Sequence, residues 1–295
     1  MSTRITYLGF LLLLVFLTGC QKIINLNLPT PAYQLVVEGH IENGTNPYVI
    51  LTHNAAYFST FTPADIANTF VHGALITVSN GAQTDTLHEL SYDTAGIVAY
   101  IYTDVLSKKP IVGQVGQSYS LYINSNGKVL TSVTTIPQLT PLDSVWVVPA
   151  NSGRSNNDSL VLLMAEYTSP PSINVYVRYF TETNNEGFLV DYNSVFSNQL
   201  FYGKKFSFSL NSGIQRGDTS YNHDYPYFHR GDTITVKWSN IDQAQYTFWN
   251  TLEYVENNQG SPFSNPIVIA TNINGGLGIW GGYGSTYKTL IVPDN

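Results

Sequence analysis

The histidines that lie closest together in the sequence are His223 and His229, in the stretch HDYPYFH. With Asp224 they offer two imidazoles and a carboxylate, which are ligands that Zn²⁺ accepts. Pro226 and the aromatic spacing, however, predict no regular helix or strand that would aim these side chains at one ion. The stretch therefore favours a solvated aromatic loop, and we expect no bound metal.

A glycine-rich run, GLGIWG at 276–281, has the G-x-G-x-x-G spacing of dinucleotide-binding proteins. That motif binds a pyrophosphate only where its last glycine opens a helix. The residues that follow, GYGSTYKTLIVP, are glycine-rich and then β-branched, so they predict no helix, and the run lacks the Gly-Lys-Ser/Thr ending of a P-loop. We expect a glycine-rich final loop and strand against Trp280 and Tyr283, and no cofactor.

Carboxylates of the second half of the chain are isolated from one another, and only the fold could pair them. They include Glu166, Glu182, Glu186 and Asp191. Glycoside hydrolysis needs two carboxylates that face each other across the substrate. The sequence contains no G-x-S-x-G, H-E-x-x-H or EF-hand motif. It therefore assigns no catalytic residue, and we expect a protein that is not an enzyme.

The only cysteine of the chain, Cys20, directly follows a short apolar segment. Arg4 and the apolar run from Leu8 to Leu17 have the layout of a secretory signal, which we place at residues 1–19. This segment is too short to span a membrane, since a span needs about 20 apolar residues. The stretch LTGC resembles the lipobox of bacterial lipoproteins. The resemblance implies that Cys20 carries diacylglycerol and palmitate and holds the protein on membrane lipid.

Composition favours an exported surface over a cytosolic enzyme. Charged residues make up 11% of the chain, against about a quarter in typical domains. The 21 tyrosines, together with Asn, Ser, Thr and Gly, supply the polarity. A net charge of −7 with scattered basic residues excludes nucleic acid as a partner, because a phosphate backbone needs clustered Lys and Arg.

The first half of the mature chain is a tether followed by short β-like runs. Residues 20–33 contain Pro29 and Pro31, which favour an extended tether. Seven runs rich in Val, Ile, Tyr and Thr follow, at 33–41, 47–55, 74–81, 84–90, 96–103, 118–125 and 128–136. Asn126-Gly127 predicts a tight hairpin turn. The pattern predicts an immunoglobulin-like β-sandwich over 34–137, with a β-barrel as the alternative.

The second half is also β-rich, and it begins after a break at IPQLTPLDS, where two prolines interrupt the pattern. We place a second β-rich domain at 138–295. Its strand-like runs are LDSVWVVP, DSLVLLMAEYTS, NVYVRYFTE, QLFYGKKFSFSL, DTITVKWS, NPIVIATNI and STYKTLIVP. Their pairing cannot be derived from the sequence. The fold class expected for the whole chain is mainly β.

One segment of the second half has helical periodicity. Apolar residues recur at spacings of three and four, which predicts one amphipathic helix near 240–257. Ser239 or Asn240 is expected to cap its start, and Asp242 suits the positive end of the helix. Phe248 and Trp249 are expected in the core and not on a ligand surface.

Several stretches together resemble the DUF4249 lipoproteins of Bacteroidetes. They include LTGC, LPTPAYQLVVEGHI, PYVILTHNAAYF, GALITVSNGAQTDTL, RGDTITVKWSNIDQAQYTFWNTLE and SPFSNPIVIATNINGGLGIWGGYGSTYKTLIVP, and they occur in the order typical of the family. The resemblance implies an outer-membrane lipoprotein, often encoded beside a TonB-dependent transporter of the SusC type. The family has no settled molecular activity, so only Cys20 receives a defined role.

The expected function is that of a non-enzymatic accessory lipoprotein, anchored to the outer membrane, that partners a TonB-dependent transporter in nutrient or peptide capture. A surface hydrolase of glycans or peptides and a cell-envelope adhesion or structural protein are the alternatives. Family members commonly have acidic residues soon after the lipidated cysteine, whereas here no carboxylate precedes Glu38. The face of the outer membrane that the protein occupies therefore stays open.

Overall fold

The structure is a computed structural model, and it describes residues 32–54, 62–94, 97–150, 159–215, 224–258 and 267–294. Cys20, the predicted signal segment and nearly all of the tether lie outside the described residues, as does His223. Residues 33–295 form one compact unit.

All seven strands predicted in the first half are confirmed. They are β1 (Leu35–Glu42), β2 (Tyr48–His53), β3 (Leu75–Ser79), β4 (Thr84–Thr94), β5 (Ile97–Thr103), β6 (Ser118–Ser125) and β7 (Lys128–Thr135). Alternating burial explains why these segments form strands, since along β6 nearly every second side chain is buried. A helix not predicted from the sequence, α1 (Pro63–Thr69), lies between β2 and β3 and starts with a capping box made by Thr62 and Asp65.

The second half is likewise mainly β, with one long helix. Its elements are β8 (Ser144–Pro149), β9 (Leu160–Thr168), β10 (Tyr176–Thr183), β11 (Val195–Ser197), β12 (Lys205–Leu210), β13 (Phe228–His229), β14 (Thr233–Ile241), α2 (Gln243–Asn257) and β15 (Leu277–Ile291). The mainly β class and the amphipathic helix near 240–257 are therefore confirmed. Neither helix of the described residues has the length and apolarity that a membrane-spanning helix needs.

The turn between β6 and β7 is the tight hairpin that Asn126-Gly127 predicts. Both residues have positive φ, 50° and 81°, and Ser125 pairs with Lys128 across the turn. Positive φ at both central positions matches the right-handed twist of the two strands.

Most strands belong to one large mixed sheet. Its order is β11-β10-β14-β15-β1-β2-β5-β4-β3-β6-β7, while β8, β9, β12 and β13 form a smaller sheet. β15 joins the two halves of the chain, since Leu277 to Tyr283 pair in parallel with β1 and Gly284 to Ile291 pair antiparallel with β14. The large sheet also curves, because Thr131 of β7 exchanges backbone hydrogen bonds of 3.1 and 2.8 Å with Asn274, just before β15.

Two of the three hydrophobic clusters of the described residues lie largely on either side of the predicted domain boundary at 137/138. One is built from residues 35–136 with Ile273 and Trp280, and the other from residues 142–292. The boundary stays a prediction, since β15 lies in a sheet that serves both clusters. The immunoglobulin-like sandwich also stays a prediction.

The predictions for the region before β15 were partly wrong. The run NPIVIATNI was expected to form a strand, but its described residues 267–273 form none. Side chains hold this segment instead: Asn272 accepts from Trp280 N at 2.9 Å and donates to Trp280 O at 2.7 Å. The Asn272 amide thus satisfies the backbone groups that a neighbouring strand would otherwise pair.

The glycine run expected to be a loop largely forms the start of β15, which begins at Leu277. Gly278 has φ +101°, and a Cβ there would lie 1.9 Å from the carbonyl oxygen of Val37. At Gly282 a Cβ would lie 2.7 Å from the Thr135 backbone. These glycines let β1 and β7 approach β15 closely, and the run continues as strand β15 without a helix at its last glycine.

Helix α2 starts two or three residues later than the predicted caps, Asn240 or Ser239, imply. Asp242 is the N-cap, and its Oδ1 accepts from Gln245 N at 2.9 Å. Ser239 and Asn240 lie within β14, so the expectation that one of them caps the helix was wrong. The strand continues through both residues because their side chains are buried, and Asn240 Oδ1 accepts from Thr140 N at 2.8 Å.

Candidate functional site

A cavity of about 800 Å³ lies among β1, β10, β15 and α2. The strands supply neighbouring walls because β10, β14, β15 and β1 are consecutive in the large sheet, and α2 contributes Phe248, Trp249 and Leu252. Ligand cavities in proteins span roughly 300–1,000 Å³ and combine apolar walls with a few convergent polar groups. The cavity has this character, since its polar lining includes Arg178, Lys237 and His40.

Arg178 is the most unusual residue of the cavity wall. It lies in β10 with only 6% of its surface exposed. Its Nε donates to Ser194 Oγ at 3.0 Å, and Ser194 N donates to Glu253 Oε2 at 2.9 Å. The guanidinium carbon lies 3.4 Å from the centre of the Trp249 ring. A hydrogen-bond relay and an aromatic face therefore hold this cation in one orientation.

The buried charge of Arg178 is balanced at a distance. Glu253, which is 2% exposed, is linked to it through Ser194. In the described part of the chain, no carboxylate forms an ion pair with Arg178 within 4 Å. Tyr283 is a hydrogen-bond partner of the guanidinium. Ser194 accepts from Nε and not from the terminal amino groups of the guanidinium. These amino groups therefore keep N–H donors for a bound molecule.

His40 of β1 is a neutral group of the cavity wall. Its ring lies edge-on to the rings of Tyr48 and Tyr283, at 3.9 and 5.2 Å between centres. Burial, reinforced by the positive charges of Lys237 and Arg178, lowers the pKa of His40 to about 3. His40 is therefore uncharged at neutral pH and offers hydrogen bonding without charge.

Lys237 is the second cation at the cavity, and it is paired. Its Nζ forms an ion pair with Glu42, which also accepts from the Tyr287 hydroxyl. Burial raises the pKa of Glu42, but the charge of Lys237 and hydrogen bonds from Lys237 and Tyr287 outweigh this and leave it below the usual value. Lys237 and Arg178 both lie beside the Phe180 ring, at 5.2 and 5.1 Å. Since Glu42 neutralises Lys237, Arg178 is the cation of the cavity wall that forms no ion pair with a carboxylate of the described residues.

The metal hypothesis for the HDYPYFH stretch gains no support from the described residues. His229 Nε2 lies 3.2 Å from Asp224 Oδ2, and its other nitrogen lies 3.9 Å from Asp232. No group of three or more potential ligands is assembled within the described ranges. The expectation of a solvated aromatic loop was partly wrong, because Phe228 is buried in the core of the second half.

The four isolated carboxylates do not meet in the cavity. Glu166 pairs with Lys205 at 2.9 Å, and none of the four lines the cavity wall. Asp191 is buried and accepts from Tyr179, Tyr225 and Asn211. Burial and the adjacent carboxylate raise the pKa of the Tyr179 hydroxyl, so it stays a hydrogen-bond donor. This cluster is saturated by its own hydrogen bonds and stabilises the loop beside the cavity.

A family model for a domain of unknown function, DUF4249, matches residues 21–289. The chain belongs to the DUF4249 family. The match includes every residue that lines the cavity. No curated protein matches this DUF4249 chain.

Sequence reasoning missed the main residues of the cavity. Arg178 lies in the run VYVRYF, where a single charge interrupts a strand that is apolar on both faces. This lone charge was the sequence signal that could have identified Arg178. Phe248 and Trp249 are buried, as predicted for core residues, but they also line the cavity. The role of His40 had no sequence signal, because its burial depends on Tyr48 and Tyr283.

Proposed function

We propose that this DUF4249 protein is a non-enzymatic lipoprotein of the outer membrane that captures a small nutrient or peptide and works as an accessory of a TonB-dependent, SusC-like transporter. The observation that carries the proposal is the cavity with a buried, oriented Arg178 in its wall. The lipobox-like LTGC supports the anchoring part, and the family resemblance supports the partner.

The cavity favours capture for two reasons. Its walls are built from aromatic and aliphatic side chains, which gain free energy from covering an apolar ligand surface. Its cation is held before any ligand arrives, by Ser194 and the Trp249 ring. A site that is already ordered loses less conformational entropy on binding, which raises affinity.

The anchor is assigned to Cys20, and the proline-containing residues that follow it would hold the folded unit away from the lipid. Two or more acyl chains bind a bilayer stably, since each buried methylene contributes roughly 0.8 kcal/mol. This arrangement suits a protein that passes its ligand to a transporter in the same membrane. The proposal applies to either face of that membrane.

Co-purification tests the partnership. The full-length protein, carrying a C-terminal tag, is isolated from native membranes in mild detergent, and its partners are identified by mass spectrometry. We expect a TonB-dependent transporter at near-stoichiometric amount. A matched preparation of the Cys20→Ala variant should lose the transporter together with the membrane. Recovery of the wild-type protein without any transporter would refute the accessory role.

A surface hydrolase is the second candidate, because Glu38 and Glu256 both line the cavity. Two carboxylates in one cavity are the minimum set for acid–base hydrolysis of a glycan. The variants Glu38→Gln and Glu256→Gln distinguish the candidates. A hydrolase predicts measurable glycan or peptide turnover that each substitution reduces by at least about a hundredfold, whereas a capture protein shows no turnover in any of the three proteins.

A further inference from the structure

We propose that the cavity selects molecules that join one carboxylate to an apolar or aromatic group, and that the carboxylate binds the guanidinium of Arg178. This inference rests on the proposed capture function and adds the chemical class of the ligand. It follows from the charge, the hydrogen bonding and the wall chemistry of the cavity.

The buried guanidinium of Arg178 favours binding of an anion. Arg178 is nine-tenths buried and, among the described residues, forms no ion pair with a carboxylate. Removing a cation from water costs several kcal/mol unless a counter-charge and hydrogen bonds compensate. Glu253 compensates part of this cost through Ser194. A ligand carboxylate in the cavity would complete the compensation directly.

The donor geometry favours a carboxylate. A guanidinium presents its N–H groups in a planar fork that matches the two oxygens of a carboxylate. Ser194 accepts from Nε, and the Trp249 ring covers one face of the plane. The Tyr283 hydroxyl is a further partner of the guanidinium, and the N–H groups that Ser194 and Tyr283 do not use can donate to a planar anion.

The surrounding charges limit the ligand to a single negative charge. Lys237 is neutralised by Glu42, and His40 is uncharged because its pKa is about 3. Arg178 is then the cation of the cavity wall that lacks an ion pair within the described residues. One cation matches one negative charge, so a singly charged anion suits the site better than a phosphate dianion does.

The remaining walls favour an apolar group next to the carboxylate. Phe180, Phe188, Leu252, Ile214 and Ile279 line the cavity. The Phe180 ring lies 5.1 Å from the guanidinium carbon, so the apolar contact begins next to the charge. Such a ligand could be the C-terminal residue of a short apolar peptide or a free hydrophobic acid, because both present the same carboxylate and side group.

Calorimetric titration of the full-length protein in detergent tests the ligand class. The probes are N-acetylphenylalanine and its amide, which differ only in the carboxylate. We expect the acid to bind at least about tenfold more tightly than the amide, since hydrogen bonds between charged groups are stronger than those to a neutral amide. Two further probes, glycylphenylalanine and 3-phenylpropanoate, identify whether a peptide terminus or a free acid binds more tightly.

The variant Arg178→Lys keeps the positive charge and removes the planar fork of guanidinium N–H groups. We expect it to weaken binding of the acid about tenfold and to leave binding of the amide unchanged. Arg230→Lys, at an arginine outside the cavity wall, is the matched control and should bind both probes as the wild type does. Circular dichroism of each variant establishes that it is folded.

Three outcomes would overturn the inference: equal binding of acid and amide, no binding of either at millimolar concentration, or unchanged acid binding by a folded Arg178→Lys protein. None of these outcomes tests the proposed partnership with a transporter, because co-purification is measured without any added ligand. Loss of the transporter with retained carboxylate binding would refute the accessory role and leave the ligand class standing.

Discussion

The guanidinium carbon of Arg178 lies 3.4 Å from the centre of the Trp249 ring, and this contact joins β10 to α2 at the cavity wall. The same ring donates from Nε1 to the Tyr283 hydroxyl at 3.1 Å. One aromatic side chain therefore orients both the buried cation and a tyrosine of β15. The cavity depends on contacts among three elements that are far apart in the sequence.

Replacing Trp249 by Phe tests this role in stability. The variant keeps an aromatic ring but loses the indole N–H bond to Tyr283 and part of the attraction to Arg178. We expect the free energy of unfolding in urea to fall by about 1–3 kcal/mol. Trp146→Phe, at a half-buried position of β8, is the control and should cost less. An equal loss for both variants would contradict the special role of Trp249.

Ser194→Ala removes the link between Arg178 and Glu253. The substitution leaves two buried charged groups without their shared hydroxyl, so we expect a loss of about 1–3 kcal/mol in unfolding free energy. Weaker binding of N-acetylphenylalanine should accompany it, because the cation loses its fixed orientation. A folded variant with wild-type stability and affinity would show that the relay is not needed.

Gly278→Ala tests the close approach of β1 and β15. Its Cβ would lie 1.9 Å from the Val37 carbonyl oxygen, at a φ of +101°. We expect a loss of about 3 kcal/mol or more, from strain and overpacking together. Gly81→Ala is the matched control, since Gly81 also has positive φ, +89°, but has nothing within 4 Å of a Cβ. It should lose only about 1–2 kcal/mol. Similar losses at both sites would mean that the contact with Val37 is not limiting.

Asp104 predicts a pH dependence of stability. Its Oδ2 is buried and has no hydrogen-bond partner within the described residues. Burial, reinforced by the neighbouring Asp85, raises the pKa of Asp104. A carboxyl group whose pKa is raised by folding stabilises the fold at pH values below its ordinary pKa of 3.8, and this contribution is lost as the pH rises through the folded-state value.

Asp104→Asn removes that dependence. The amide keeps the acceptor for Ser107 N, which bonds Oδ1 at 3.0 Å, and carries no charge. We expect the variant to exceed the wild type in unfolding free energy at pH 7.5, with the difference shrinking towards pH 4. The exposed Glu186→Gln should change stability by less than about 0.5 kcal/mol at either pH. A difference that is constant with pH would contradict the raised pKa.

The strands of the first half could be predicted from sequence because their burial alternates locally and Asn126-Gly127 sets a hairpin. The start of β15 could not be predicted from the sequence. Its glycines are explained by close contacts with Val37 and Thr135, and both residues are distant from β15 in the chain. The wrongly predicted strand at 267–273 failed for a related reason. The side chain of Asn272 holds this segment through hydrogen bonds, and strand propensity does not describe such a contact.

The cavity was the least predictable feature. Arg178, Ser194 and Glu253 are separated by 16 and then 59 residues, and no local motif connects them. The lone arginine in VYVRYF marked an unusual position, but its surroundings follow only from the sheet order. Cys20 is the opposite case, since its assignment rests on local sequence alone and stays a prediction outside the described residues.

Native mass spectrometry of the full-length protein, purified from its own membranes, detects a small molecule that the chain has captured. We expect the wild-type protein to carry one small organic acid per chain. The Arg178→Lys protein should carry less of it, and Arg230→Lys should carry the wild-type amount. An identical small-molecule content in all three proteins, or a wild-type mass equal to that of the lipidated chain alone, would contradict the claim.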